Sequence, residues 1–82
     1  MKFKREFYTV EDSTGKLILI RDEIGSYIFM LKEVIERLEL QDQIVMDSDR
    51  RHLVGVCVDW HLPTPKIVPV SVEVEIVVKE SA

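Results

Sequence analysis

Apolar and polar residues change their spacing several times along the chain, and each change marks an element. Residues 2–11, KFKREFYTVE, mix charge with Phe3, Phe7, Tyr8 and Val10. Residues 16–21, KLILIR, hold a continuous apolar run. Between them lies Asp12-Ser13-Thr14-Gly15. Asp and Ser favour turn starts, and Gly supplies the positive φ that closes a tight loop. The segment predicts a β-hairpin. From Ile24 the period becomes helical: Ile24, Tyr27, Ile28, Leu31, Val34, Ile35 and Leu38 recur at three- and four-residue steps. They fill one stripe of a helical wheel. Asp22 suits an N-cap, and Lys32–Glu36 and Glu33–Arg37 are spaced to pair on the outer face. The pattern predicts a helix over 23–40, with Phe29 and Leu40 opposite the stripe.

From residue 43 the period is two. Ile44 and Met46 alternate with Gln43, Val45 and Asp47, and Ser48-Asp49-Arg50-Arg51-His52 reads as a polar loop. Val54, Val56, Val58, Trp60 and Leu62 then alternate with Leu53, Gly55, Cys57, Asp59 and His61 until Pro63-Thr64-Pro65. The last run sets Val68, Val70, Val72, Val74, Ile76 and Val78 against Pro69, Ser71, Glu73, Glu75, Val77 and Lys79. Strands are expected at 43–47, 53–62 and 67–79. Short loops favour antiparallel neighbours. The expected class is α+β: a two-layer β-β-α-β-β-β chain with one helix on a curved, mainly antiparallel sheet. Ile24, Ile28, Leu31, Ile35 and Leu38 would pack against Val56, Val58, Trp60, Val72 and Val74.

The element order is similar to that of β-grasp domains, in which a hairpin precedes a helix. That resemblance concerns fold and implies no activity. A ubiquitin-type modifier ends in Gly-Gly, whereas this sequence ends Lys79-Glu80-Ser81-Ala82. Conjugation through the terminus is therefore not expected.

Length and charge narrow the functional classes. Eighty-two residues make one domain. A net charge of −4 argues against direct nucleic-acid binding, which needs clustered positive charge. No apolar run approaches the ~20 residues of a membrane span. The opening MKFKREF lacks an apolar leader, so the expected location is cytoplasmic. One cysteine, Cys57, excludes an internal disulfide and a multi-cysteine zinc site.

Alternation puts Cys57, Asp59, His61, Ser71, Glu73 and Glu75 on one sheet face, away from the helix. This polar set reads as a solvated or binding face. Asp59, His61 and Glu73 offer mixed N/O donors for a metal ion in a small enzyme domain. Arg50, Arg51 and His52 form a second cluster in which His supplies acid–base chemistry and Arg holds phosphate. The simpler reading is a loop whose Asp side chains satisfy backbone N–H groups. No Gly-rich phosphate loop or nucleophile triad is present, so neither catalysis nor a cofactor is expected. The leading expectation is a protein-binding or regulatory module that self-associates through its last strand or sheet face. An acidic phage- or virus-type inhibitor occupying another protein's nucleic-acid site is an alternative. The long valine-rich last strand needs cover, either from strand one or from a second copy.

Overall fold

A computed structural model describes residues 1–79. Its elements are β1 (Lys2–Glu11), β2 (Leu17–Arg21), β3 (Tyr27–Leu31), α1 (Lys32–Arg37), β4 (Met46–Asp47), α2 (Arg50–Asp59) and β5 (Lys66–Glu75). The fold is α+β: one main helix and an open, antiparallel five-stranded sheet.

The first hairpin forms where the sequence places it. Gly15 takes φ +74° and donates to the Asp12 carbonyl at 3.1 Å. The Asp12 carboxylate accepts from Thr14 Oγ1 and from the Leu17 N–H. The same arrangement recurs ten residues later. Gly25 takes φ +87° and donates to the Asp22 carbonyl, while the Asp22 carboxylate accepts from the N–H groups of Ile24 and Ser26. Residues 22–26 are thus a second hairpin turn, and the chain returns as β3 with Ile20 opposite Ile28.

This overturns the helix expected over 23–40. Only Lys32–Arg37 is α-helical, and Ile24 is 87% exposed. The helical spacing of the apolar residues is a coincidence of a strand that touches both cores, Tyr27 and Phe29 on one face and Met30 on the other. Such a strand is apolar at consecutive positions and shows no period of two. Ile28, Leu31 and Leu38 are likewise exposed, and only Ile35 of the expected stripe is buried.

The strand expected over 53–62 is instead α2, the main helix. Its apolar residues alternate, but Leu53, Val56 and Cys57 also satisfy the i, i+3, i+4 rule, and these face inward. Val58 is 65% exposed, and Val54 and Trp60 also face outward. Both helices end in a Schellman motif without glycine. In α2 the His61 N–H donates to the Val58 carbonyl and Leu62 to Cys57, with His61 at φ +49°. In α1 Glu39 donates to Glu36 and Leu40 to Ile35, with Glu39 at φ +56°.

The expected strand over 43–47 is reduced to Met46–Asp47. It fills a fork in the sheet. β2 pairs with β1 only at Glu11–Ile18. Beyond that point Ile44 bridges Ile20, the Val45 N–H donates to the Leu19 carbonyl, and Met46 and Asp47 pair with Thr9 and Tyr8. Buried Thr9 donates its hydroxyl to the Val45 carbonyl at 2.7 Å.

Two cores lie on opposite faces of this end of the sheet. Val10, Leu19, Leu53 and Cys57 form one beneath α2. Ile18, Ile20 and Ile35 form the other beneath α1, with Met30, Leu40 and Ile44 around them. β5 pairs with β1 over its whole length, from Lys2–Glu75 to Glu11–Lys66. Strand one therefore covers the last strand within the chain. Residues 76–79, expected as strand, lie beyond it, although Ile76 still exchanges backbone hydrogen bonds with Met1.

Candidate functional site

Two surfaces carry chemistry, one at the start of α2 and one on the β1–β5 ribbon. At the first, Asp49 is the N-cap of α2 and accepts from the Arg51 N–H at 3.0 Å. The Arg51 guanidinium also reaches its carboxylate. Asp47 accepts from the Asp49 N–H at 2.7 Å and lies 3.1 Å from His52 Nδ1. Backbone and His52 hydrogen bonds hold the Asp47 carboxyl below its ordinary range, and the contacts from Arg51 do the same for Asp49. Asp49 in turn holds the Arg51 guanidinium in its charged form. These carboxylates satisfy backbone N–H groups, as such loop residues do.

Asp47 and His52 line an open cleft of about 420 Å³ together with Arg21, Asp22, Tyr27 and Val56. The cleft holds a carboxylate–imidazole pair, but no Ser, Thr, Cys or Lys lines it. Covalent catalysis needs a nucleophile within hydrogen-bond reach of its base. The wall supplies an imidazole and its orienting carboxylate, together with Arg21, Asp22, Asp42 and Tyr27.

The polar sheet face expected from Cys57, Asp59, His61, Ser71, Glu73 and Glu75 does not exist as one surface. Residues 50–59 are helical, so their alternation does not sort them onto sheet faces. Cys57 is buried under α2, and burial pushes its thiol pKa up. Asp59 is the last helical residue, and His61 occupies the left-handed position of the helix stop. Among the described residues no group of three or more His, Cys, Asp or Glu side chains is placed to hold a metal ion. Arg50, Arg51 and His52 stay together in the first turn of α2.

Ser71, Glu73 and Glu75 do share an exposed face, on β5. Opposite them on β1 stand Glu6, Lys4 and Lys2. Ser71 Oγ donates to Glu6 at 3.2 Å, and Lys2 Nζ lies 3.9 Å from Glu73. The other face of this ribbon carries Phe3, Arg5 and Phe7 against Val74, Val72 and Val70. None of these residues belongs to either core. Phe3 is 37% exposed, and the Arg5 guanidinium lies 5.2 Å from the centre of the Phe7 ring. This face was hard to read from β1 alone because Arg5 interrupts the alternation of Phe3 with Phe7. The pairing with the valines of β5 makes it apolar.

The ribbon extends the molecule to 52 × 28 × 24 Å. No helix among the described residues is long and apolar enough to cross a membrane. Comparison with protein-family models, with curated proteins and with solved structures finds no match to this chain.

Proposed function

We propose that this chain is a non-catalytic protein-binding or regulatory module, and that its binding surface is the ribbon formed by residues 2–7 of β1 and 70–75 of β5. One observation carries the reading. The ribbon has a face of two phenylalanines and three valines around Arg5 that belongs to neither core, with Phe3 exposed and Phe7 and the valines half-buried. A two-stranded ribbon is marginal in water unless a third layer or further strands join it. Exposed contiguous apolar surface rimmed by charge is the usual mark of an interaction site. The lone thiol of Cys57 fits a reducing, cytoplasmic setting.

Affinity capture from host extract tests this directly. Wild-type protein is compared with Val72→Glu, a substitution in the centre of the apolar face and remote from both cores. The expected result is a defined set of proteins, the chain itself included, retained by wild type and lost from the folded variant. Equal retention by both would remove the ribbon from the binding surface.

A further inference from the structure

We propose that the free edge of β1 pairs with the same edge of a second copy, antiparallel and centred on Lys4. This inference rests on the ribbon being the binding surface and names its occupant.

The backbone phase of the ribbon shows which groups are free. Met1 and Ile76 exchange both of their N–H···O=C bonds, at 2.9 and 2.8 Å. In an antiparallel pair such exchanging residues alternate with non-exchanging ones. Phe3–Val74, Arg5–Val72 and Phe7–Val70 therefore bond within the ribbon. Lys2, Lys4 and Glu6 turn their N–H and C=O groups to the outer edge of β1. On the other strand Ser71, Glu73 and Glu75 turn theirs outward, and so does Pro69, opposite Tyr8.

The two edges differ in what they accept. On β5, Pro69 has no N–H to offer, and Glu73 and Glu75 bring two carboxylates. Two-fold pairing of β5 with itself centred on Glu73 or Val74 sets Glu73 against its own copy or against Glu75, and pairing centred on Ser71 or Val72 sets Pro69 against Glu73 or Glu75. Like charges directly opposite are destabilising. That edge is protected in the manner of native edge strands.

On β1 the edge is open from Lys2 to Phe7, because β4 pairs only with Tyr8 and Thr9 among the described residues. Its charges are self-complementary in one register. Centred on Lys4, each Lys2 faces Glu6 of the other copy, giving two opposite-charge pairs against one Lys4–Lys4 contact. Phe3 then faces Arg5 of the other copy, extending the cation–aromatic contact that Arg5 already makes with Phe7. Centred on Phe3, the pairing sets Lys2 against Lys4 twice. Centred on Arg5, it sets Lys2 against Tyr8, whose edge Asp47 already occupies. Only the Lys4 register uses all three outward residues and stops short of β4. A two-fold contact of this kind is closed, so it yields a dimer and not a fibre. It converts two marginal ribbons into one four-stranded sheet, β5-β1-β1-β5, with the valines and phenylalanines of both copies on one face.

Sedimentation equilibrium of the purified protein at micromolar concentration tests the pairing. The expected wild-type mass is twice the 9.6 kDa of one chain. Lys2→Glu and Glu6→Lys each create two like-charge pairs and should weaken the dimer by about tenfold or more. The double variant Lys2→Glu/Glu6→Lys restores both pairs and should restore the dimer. Any strain that Lys2→Glu places on its own ribbon remains in the double variant, so recovery reports the contact between copies. Lys4→Pro removes an outward N–H without removing a bond within the ribbon, and should give a folded monomer by circular dichroism. A wild-type monomer throughout, growth beyond a dimer, or a double variant no better than the singles would each overturn the pairing. A monomer that still captures another protein through Val72 would leave the binding-module reading standing and remove only the second copy as its occupant.

Discussion

The two ends of β1 lie in opposite environments. Residues 2–6 are exposed, Phe7 and Tyr8 are half-buried, and Thr9 and Val10 are buried. The strand pairs with β5 along its whole length, but only its Tyr8–Glu11 end also pairs on its other edge, with β4 and β2. Cover differs as well. At the Val10 end α2 and α1 close the two faces of the sheet; at the Phe3 end neither helix reaches. The difference shows that a continuous ladder can run from a folded core into a ribbon outside it, and that stability should follow the covered faces.

The largest expected effect is in the covered half. Leu53 is 2% exposed between α2 and the sheet. Leu53→Ala should cost about 2–5 kcal/mol in urea denaturation. Val72→Ala, on the uncovered face, should cost less than about 1 kcal/mol in dilute monomer. Equal losses would mean that the ribbon is part of the core and would end the contrast. Leu31, exposed at the end of β3, should behave like half-buried Val72 and not like Leu53.

Two smaller substitutions sharpen the comparison by strengthening α2 alone. A Cβ added at Gly55 meets nothing within 4 Å. Gly55→Ala should therefore stabilise by about 0.5–1 kcal/mol, the usual helical difference between these residues. His61 holds a left-handed conformation that glycine adopts at no steric cost. His61→Gly should add roughly 0.5–1 kcal/mol, net of glycine's greater freedom when unfolded. Hydrogen exchange should slow at Leu53 and Cys57 in both variants and stay unchanged at Arg5 and Val72, whose N–H groups bond within the ribbon. Slowing in the ribbon would show that the two halves open together.

The last expected effect is acid sensitivity localised to the covered half. Asp47 and Asp49 titrate below their ordinary range because backbone N–H groups, His52 and Arg51 favour their charged forms. A lowered folded pKa contributes stability above the unfolded value, and that stability is lost as pH falls through the folded one. Wild type should lose stability as pH falls from the ordinary aspartate range, where the unfolded carboxylates begin to bind protons, through the lowered folded values. Asp47→Asn/Asp49→Asn should be less stable at neutral pH and show a flatter acid limb. An unchanged limb would assign the acid loss to other carboxylates.

The turns show where the sequence was legible and where it misled. Asp12-x-x-Gly15 and Asp22-x-x-Gly25 fold alike, with Gly donating to the Asp carbonyl in both. Only the first is legible as a turn in the sequence, because a helical period overlies the second. The helix stops at Glu39 and His61 carried no glycine signal, so neither helix end was visible. The residues at the start of α2 were legible as a cluster because they are neighbours in sequence. Asp59, His61 and Glu73 were brought together only by assuming that residues 53–62 form a strand.

The sequence by itself determined the α+β class, the first hairpin, the alternation of β5 and the hydrogen bonding of the aspartates around residue 49 to backbone N–H groups. Each depends on local spacing or on one residue's conformational preference. Only the tertiary structure decided that 27–31 is a strand and 50–59 a helix. Short apolar runs satisfy either period, and the choice is made by which partner covers them. For 27–31 the partner is β2, with α1 reaching the sheet's other face; for 50–59 it is the Val10–Leu19 surface. The same dependence on cover leaves the ribbon's apolar face open, a property of how far the helices extend that no local pattern encodes.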